Sequence, residues 1–187
     1  QVEGVDGVAT VAGELVADVG IFEQGRTKAN RITGRSWITE DRLNPTDLVD
    51  GRAPKEVGEV ALDRRTADDL DLAVGDPVQL ATTQGKGSYR IVGITSFGND
   101  DAQDGNGTVT FAPADSFDAL NGGVPEYTRI LVEAADGTSD AQLARTLRRE
   151  FAGNENIEVR TRQEFLDDAA GAAAVFGQIL RPILIGF

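Results

Sequence analysis

The sequence predicts an α+β fold, and two observations indicate it. A strand-rich stretch with short connections covers residues 48–94. Two helices nearer the C-terminal end each begin at a capping box, Ser139-x-x-Gln142 and Thr161-x-x-Glu164, with strands predicted beside them. The middle of the chain is therefore rich in strands, and its end alternates strands with helices. This contrast predicts two subdomains, one β-rich and one α+β.

The stretch 48–94 contains turn and strand signals at short intervals. Asp63 has a side chain that can cap a brief helix, and this helix would turn Ala67 and Leu70 inward. The predicted elements are, in order, a strand at 59–62, the helix after Asp63, a turn at 74–77, a strand containing Val78 and Leu80, a turn at 84–87 and a strand at 89–94. Because every connection is short, we expect these elements to form one compact unit.

The first 36 residues predict a strand and a polar arm. Residues 8–22 are apolar but contain Gly13 and Gly20, which favours a bent or bulged strand over a helix. Residues 22–35 include four basic side chains, the last of them Arg35, and are interpreted as a hairpin arm or exposed loop whose charges face water. Trp37 is the only tryptophan and is expected at the edge of the core.

Strands and helices are predicted to alternate after residue 107. The elements are a strand at 108–111, a helix opened by Pro113, a strand at 129–133, a helix after Ser139 and a strand at 157–160. The helix after Ser139 carries Leu143, Leu147 and Phe151 at four-residue spacing. Gly153 is expected to stop it at C′, the first position beyond the cap.

The composition excludes several classes of function. The chain has 31 acidic and 18 basic residues, a net charge of −13, which argues against a nucleic-acid partner and against adsorption to anionic lipid. It has no cysteine and no histidine, so disulfides, thiol nucleophiles, the usual zinc sites and histidine-dependent triads are excluded. We therefore expect no enzymatic activity, no catalytic residues, no cofactor and no metal.

Two short motifs resemble binding loops but fit them poorly. The sequence Gly51-Arg52-Ala53-Pro54 lacks the glycine spacing and the following Lys-Ser/Thr of a phosphate loop, so it is interpreted as a structural turn. Residues 98–107 include Asp100, Asp104 and Asn106, but their spacing fails the EF-hand calcium pattern. We interpret this stretch as a mobile acidic surface loop without bound metal.

The order of these motifs resembles a known family. GRAP at 51–54, EVAL at 59–62, VGD at 74–76 and Y-x-IVGI at 89–94 are similar to the extracytoplasmic domain of FtsX-like, or MacB-type, ABC-transporter permeases. The segments SWITEDRLNPTDLVD and 108–120 resemble the actinobacterial version. The resemblance covers nearly all of the chain, and its motifs are turns and strands rather than catalytic residues.

The resemblance implies a MacB-type periplasmic core fold. Its porter-like α+β subdomain would comprise residues 1–36 and 126–168, and its inserted β-rich subdomain residues 37–125. The domain would lie on the extracytoplasmic side of the plasma membrane. The implied partners are a cytoplasmic ATPase subunit, a second permease copy or pseudo-repeat, and an extracytoplasmic protein or lipid. The resemblance implies a separate cytoplasmic ATPase, and this sequence has no Walker motif, so it cannot supply the ATPase function itself.

Residues 169–187 are small and apolar apart from Gln178 and Arg181. A bilayer-spanning helix needs about 20 apolar residues, so this segment is interpreted as a juxtamembrane helix and the start of a transmembrane helix. Arg181 and Pro182 would form a membrane-proximal joint, because Arg181 can reach headgroups and Pro182 interrupts the helical hydrogen bonds. The alternative is a terminal helix packed on the domain.

Two other classes of function stay open on the sequence alone. One is a free-standing extracellular binding module that uses the acidic loop. The other is a hydrolase that relies on paired carboxylates, although no two carboxylates can be placed in one cleft from the sequence. The motifs favour a permease domain that couples ATP hydrolysis in the cytoplasm to substrate export or to a partner outside the membrane.

Overall fold

The computed structural model describes residues 2–22, 30–97 and 107–164. Within these ranges the chain forms strands and α-helices, preceded by a 3₁₀ turn at Val2–Gly4, which confirms the α+β class. The strands are β1 (Val8–Glu14), β2 (Val16–Phe22), β3 (Asn30–Ser36), β4 (Asp47–Gly51), β5 (Glu59–Asp63), β6 (Pro77–Thr82), β7 (Gly85–Ser96), β8 (Thr108–Phe111) and β9 (Arg129–Ala134), and the helices are α1 (Arg64–Leu70), α2 (Ser116–Asn121) and α3 (Asp140–Glu150).

The chain divides into two compact units. The smaller unit comprises residues 1–11 and 132–187, and the larger unit comprises residues 12–131. Both boundaries fall inside strands, since β1 and β9 contribute residues to each unit and pair with each other in a two-stranded sheet. The subdomain boundaries derived from the family resemblance stay a prediction.

Six strands of the larger unit close into a barrel. Their order is β7-β5-β8-β3-β2-β6, and β6 pairs back with β7. Closure depends on the 12 residues of β7, because its first half pairs with β6 up to Arg90 and its second half pairs with β5 from Arg90 to Thr95. Strand β4 adds to the second half of β7 and is exposed along its whole length.

The barrel is filled by apolar side chains. Every residue of β5 is buried, as expected for a strand with a neighbour on each side. Helix α2 packs on this sheet with Leu120 close to Gly34 of β3. Tyr89 meets Phe111 edge to face, with ring centroids 5.3 Å apart. The largest fully buried apolar side chains are Leu15, Val19, Ile21, Val60, Leu62, Leu80, Ile91, Val109 and Phe111.

The helix α1 confirms the capping prediction. The Asp63 carboxylate accepts hydrogen bonds from the Thr66 backbone N–H at 2.9 Å and from the Thr66 hydroxyl at 2.6 Å. Ala67 is buried and Leu70 packs on the core. Because Asp63 is fully buried and also accepts from the Thr108 N–H, this cap ties α1 to strand β8.

The smaller unit contains the second confirmed cap. Ser139 accepts from the Gln142 N–H at 3.3 Å, while the Gln142 side chain accepts from the Ser139 N–H at 2.9 Å, so the capping box is complete. Leu143 and Leu147 are buried on one face of α3. The third helix is therefore amphipathic, as its four-residue spacing predicted.

The prediction of a strand at residues 157–160 is wrong. These residues have no strand partner in the described part of the chain, and Ile157 is 44% exposed. The Val159 carbonyl accepts instead from the Arg148 guanidinium, at 3.1 Å from Nε and 2.9 Å from Nη2. A side chain of α3 thus provides the donor that a neighbouring strand would have provided.

Three predicted boundaries are also wrong. Helix α3 ends at Glu150 and Gly153 does not have a left-handed φ, because the chain continues in a further turn with the Asn154 N–H bonded to the Phe151 carbonyl. Helix α2 begins at Ser116 rather than Pro113. Strand β7 begins at Gly85, so the preceding turn is at residues 83–84 rather than 84–87.

Several predictions fall on residues that the structure does not describe. The acidic loop, apart from Gly107, lies outside the described ranges, as do residues 23–29 of the polar arm predicted at 22–35. The segment 169–187, with Arg181 and Pro182, lies outside them too. In the part that is described, none of the helices has the length and apolar character needed to cross a bilayer.

Candidate functional site: a buried carboxylate–arginine cluster

A buried carboxylate lies at the end of β1. Glu14 is only 1% exposed, although it is a charged residue. The next residue, Leu15, is also buried, and its backbone is fixed to β3 because its N–H donates to Ser36 Oγ at 2.9 Å and its carbonyl accepts from the Ser36 N–H at 3.0 Å. Consecutive side chains of one strand point to opposite faces, but Leu15 lies between β1 and β2. This break in the strand accompanies the burial of two consecutive side chains, Glu14 and Leu15.

Arg35 of β3 pairs with Glu14. Arg35 Nε donates to Glu14 Oε1 at 2.7 Å, and Arg35 Nη2 lies 2.7 Å from the same oxygen. Arg35 is 5% exposed, and its guanidinium carbon lies 5.9 Å from the centre of the Phe97 ring. Burial of both partners makes this a low-dielectric ion pair with a further cation–π contact.

Arg129 of β9 completes the cluster from a third strand. Its Nη1 lies 3.5 Å from Glu14 Oε2, and its side chain is 40% exposed. Glu14 Oε2 has no hydrogen-bond partner among the described residues, so the ion pair with Arg129 offsets the cost of burying this oxygen. We name Glu14, Arg35 and Arg129 the Glu14 cluster.

The Glu14 cluster lies where the chain enters and leaves the larger unit. Glu14 is the third residue of that unit, which begins at residue 12, and Arg129 is the third from last, since the unit ends at residue 131. Thr128 adds three hydrogen bonds at this place. Its N–H and its hydroxyl donate to the Glu14 carbonyl at 3.1 Å and 3.2 Å, and its hydroxyl accepts from the Val16 N–H at 2.8 Å. Both connecting strands are therefore fixed to the barrel by the same group of side chains.

A tyrosine covers the backbone next to the cluster. The Tyr127 ring lies against Gly13, in the position that a Cβ at residue 13 would occupy. The same ring meets Phe117 of α2 at 5.1 Å between centroids. Glycine at position 13 therefore permits an aromatic contact that fixes the segment before β9.

The loop that contains Gly51-Arg52-Ala53-Pro54 surrounds a different carboxylate. Glu59 Oε2 accepts from Arg52 Nη1 at 2.8 Å, from the Lys55 N–H at 3.0 Å and from the Glu56 N–H at 3.1 Å. The Arg52 hydrogen bond is the main cause, and the backbone N–H groups a further cause, of a Glu59 pKa lowered to about 2. The donors that could bind an external anion are thus occupied by a carboxylate of the chain itself.

Asp115 fixes the other end of this loop. Its Oδ2 accepts from the Gly58 N–H at 2.8 Å, across a sequence separation of 57 residues. Burial raises the pKa of Asp115, and the nearby carboxylates Asp118 and Glu59 add to this effect. The side chain therefore serves the loop rather than capping its own helix α2, where it makes no cap hydrogen bond.

The sequence did not single out the residues of the Glu14 cluster. Arg35 was expected to face water, and this prediction is wrong because β3 turns its side chain into the unit against Glu14. A signal for Glu14 exists, since it is the only charged residue from Val8 to Ala17. The sequence-predicted joint at Arg181 and Pro182 lies beyond the described residues.

Comparison with known families decides the identity of the fold. A family model described as the MacB-like periplasmic core domain matches residues 1–150. The chain belongs to this family. The MacB-like domain is the extracytoplasmic part of an ABC-transporter permease, and the family is a class of transporter domains rather than of enzymes.

Solved structures share the fold of this MacB-like domain. The extracellular domain of the noncanonic ABC-type transporter YknZ from Gram-positive bacteria is 18% identical, with a TM-score of 0.55, and the match covers 86% of this chain and 85% of that one. The periplasmic region of MacB from Actinobacillus actinomycetemcomitans is 12% identical, with a TM-score of 0.56 and coverage of 89% and 78%. Comparison with curated protein sequences gives no match.

Proposed function

We propose that this MacB-like domain belongs to a plasma-membrane permease and couples ATP hydrolysis by a separate cytoplasmic ATPase subunit to events outside the membrane. These events are export of a substrate or action on an extracytoplasmic partner, and a second permease copy or pseudo-repeat completes the assembly. Family membership supports the permease. The position of the Glu14 cluster supports the coupling.

The mechanical argument rests on how the two connecting strands are held. A displacement passes from one unit to another only if the connections resist bending. Breaking a buried ion pair costs about 3–5 kcal/mol, whereas exposed pairs contribute about 0–1 kcal/mol. Glu14 on β1 forms a pair of the buried kind with Arg35, which fixes the entering strand to the barrel. Its contact with Arg129 on the leaving strand is longer, at 3.5 Å, and half-buried, so it should contribute an intermediate amount.

The finer organisation of the permease belongs to the same proposal. A porter-like part would comprise residues 1–36 and 126–168, and an inserted part residues 37–125. The segment 169–187 would lead into the membrane, with Arg181 and Pro182 at the joint. The actinobacterial type follows from the sequence resemblance.

The location outside the membrane can be tested by labelling. The chain has no cysteine, so a single Asp68→Cys on the exposed side of α1 gives a unique thiol in this domain. We expect a membrane-impermeant maleimide to label it in intact cells that express the full permease in an otherwise cysteine-free form. Labelling only after cell lysis would contradict the proposed orientation.

Coupling can be tested with one spin label in each unit. Asp68→Cys in the larger unit and Ala141→Cys in the smaller unit are both exposed. In the full permease with its ATPase, we expect the distance distribution between the labels to change on binding ATP. Glu14→Gln should reduce this change while ATP hydrolysis continues, and Asp18→Asn, which removes an exposed ion pair from the same unit, should not. An unchanged response in Glu14→Gln would contradict the coupling role.

A further inference from the structure

The smaller unit carries an arginine-rich surface. Arg145, Arg148 and Arg149 lie on α3 at spacings of three and four residues, so they share one face of the helix. All three are exposed, on the side away from the buried Leu143 and Leu147.

A second segment extends this surface. Arg148 Nη2 donates to the Val159 carbonyl at 2.9 Å and to Glu164 Oε2 at 2.6 Å, which holds residues 159–164 beside the C-terminal half of α3. This segment contributes Arg160 and Arg162, both exposed. We name the five side chains the arginine face: Arg145, Arg148, Arg149, Arg160 and Arg162.

The arginine face contrasts with the rest of the chain. The whole chain has a net charge of −13, whereas residues 140–164 contain five arginines and five acidic residues. Cations near the end of a helix are favoured by its dipole, which accounts for Arg148 and Arg149. The dipole does not account for Arg160 and Arg162, which lie outside the helix.

The arginine face is close in sequence to the segment that the proposed function places at the membrane. Glu164 and Ala169 are five residues apart, a distance of at most about 18 Å in a fully extended chain. If residues 169–187 enter the bilayer, the arginines lie within reach of its headgroups. This step rests on the proposed function.

We propose that the arginine face binds the phosphate groups of an anionic phospholipid surface. Guanidinium groups match phosphate oxygens with paired hydrogen bonds, and each basic residue near an anionic membrane contributes about 1 kcal/mol. Basic residues close to a transmembrane helix are normally concentrated on the cytoplasmic side. In the proposed topology the arginine face lies on the opposite side, where phospholipid phosphate supplies an anionic partner.

For lipid binding, the local charge of the arginine face matters more than the net charge of the chain. The value of −13 argues against adsorption of the whole chain to anionic lipid, but screening limits each charge to a range of about 8–10 Å. The carboxylates Asp167 and Asp168 oppose the attraction, while the ion pairs of Arg148 with Glu164 and of Arg160 with Glu158 reduce it. Arg145, Arg149 and Arg162 are therefore the side chains to test.

The test measures vesicle binding of the 187-residue chain by flotation. One set of vesicles is phosphatidylcholine, and the other contains one part phosphatidylglycerol to three parts phosphatidylcholine. We expect preferential binding to the anionic vesicles, lost when ionic strength rises from about 0.15 M to about 1 M. The triple variant R145Q/R149Q/R162Q should lower the anionic-to-neutral ratio of binding constants, by up to about fivefold for each arginine removed.

A matched variant removes the same charge from the larger unit. K55Q/R64Q/R65Q should leave the binding ratio unchanged. An equal fall in both variants, or no fall in the arginine variant, would overturn the proposal. Absence of binding to either vesicle would overturn it as well, and would favour an acidic protein as the partner of this face.

The neutral vesicles separate this proposal from the proposed function. Insertion of residues 169–187 gives binding to phosphatidylcholine that survives high salt, because it depends on apolar burial. Salt-resistant binding without an anionic preference would therefore count against the arginine face alone. An anionic preference without any binding to neutral vesicles would support the arginine face and count against membrane entry.

Discussion

Arg35 of β3 and Glu14 of β1 form an ion pair at 2.7 Å in which the two side chains are only 6% and 1% exposed. Arg31, on the same strand β3, forms a chemically similar pair with Asp18 of β2, and these side chains are 74% and 65% exposed. Strand β3 therefore carries one arginine in a buried ion pair and one in an exposed ion pair. The difference in burial predicts a large difference in the contribution of the two pairs to stability.

We expect Glu14→Gln to lower the free energy of unfolding by about 3–5 kcal/mol, because it breaks the buried ion pair with Arg35. Asp18→Asn should change it much less, because water screens this exposed pair. Urea denaturation at neutral pH measures both. Equal effects of the two substitutions would show that the buried ion pair contributes no more to stability than the exposed one. If Glu14→Gln does not fold, Arg129→Gln can replace it, because it removes only the longer contact of 3.5 Å. Its loss of unfolding free energy should lie between those expected for Glu14→Gln and Asp18→Asn.

The acid limb of the stability profile should depend on Glu59. Its pKa in the folded chain is about 2, against an ordinary value of 4.5, so its contribution is complete above pH 4.5 and is lost as the pH falls toward 2. Glu59→Gln removes the charge and should lower stability by about 1–3 kcal/mol at neutral pH. The difference between wild type and variant, measured with urea at several pH values, should shrink below pH 4.5. A difference independent of pH would contradict this role.

The backbone conformation at residue 75, rather than a side-chain contact, should determine which residues are tolerated there. Gly75 has a φ of +102°, and no atom lies within 4 Å of the position that a Cβ would occupy. Gly75→Val should therefore cost about 1–3 kcal/mol through strain alone. Gly153 also has open space but does not have a positive φ, so Gly153→Val is the matched control and should cost less. Similar thermal midpoints for the two variants would refute the strain argument.

Gly13 and Tyr127 should be energetically coupled. A methyl group at position 13 would collide with the Tyr127 ring, so Gly13→Ala should destabilise the domain. In a Tyr127→Ala background the collision is absent, and Gly13→Ala should cost less. A double-mutant cycle should give a coupling of about 0.5–3 kcal/mol. Additive effects would mean that the ring moves aside without cost.

Features with short-range causes could be predicted from the sequence. The caps at Asp63 and Ser139 depend on a side chain and a backbone N–H three residues apart, and both were predicted correctly. The alternation of Val78 and Leu80 likewise identified a strand with its buried face. The motif order also identified the family, because turns such as the one at Gly75 require particular residues at particular positions.

Features with long-range causes were decided by the tertiary structure. The barrel closes because β7 is long enough to pair with β6 in one half and with β5 in the other, which no local pattern specifies. The segment 157–160 has strand propensity, but Val159 bonds to the Arg148 side chain instead of to a neighbouring strand. The burial of Arg35 depends on Glu14, 21 residues away in sequence. The free energy of a buried charge depends on which distant group neutralises it, so only the folded chain could show that this pair is inside.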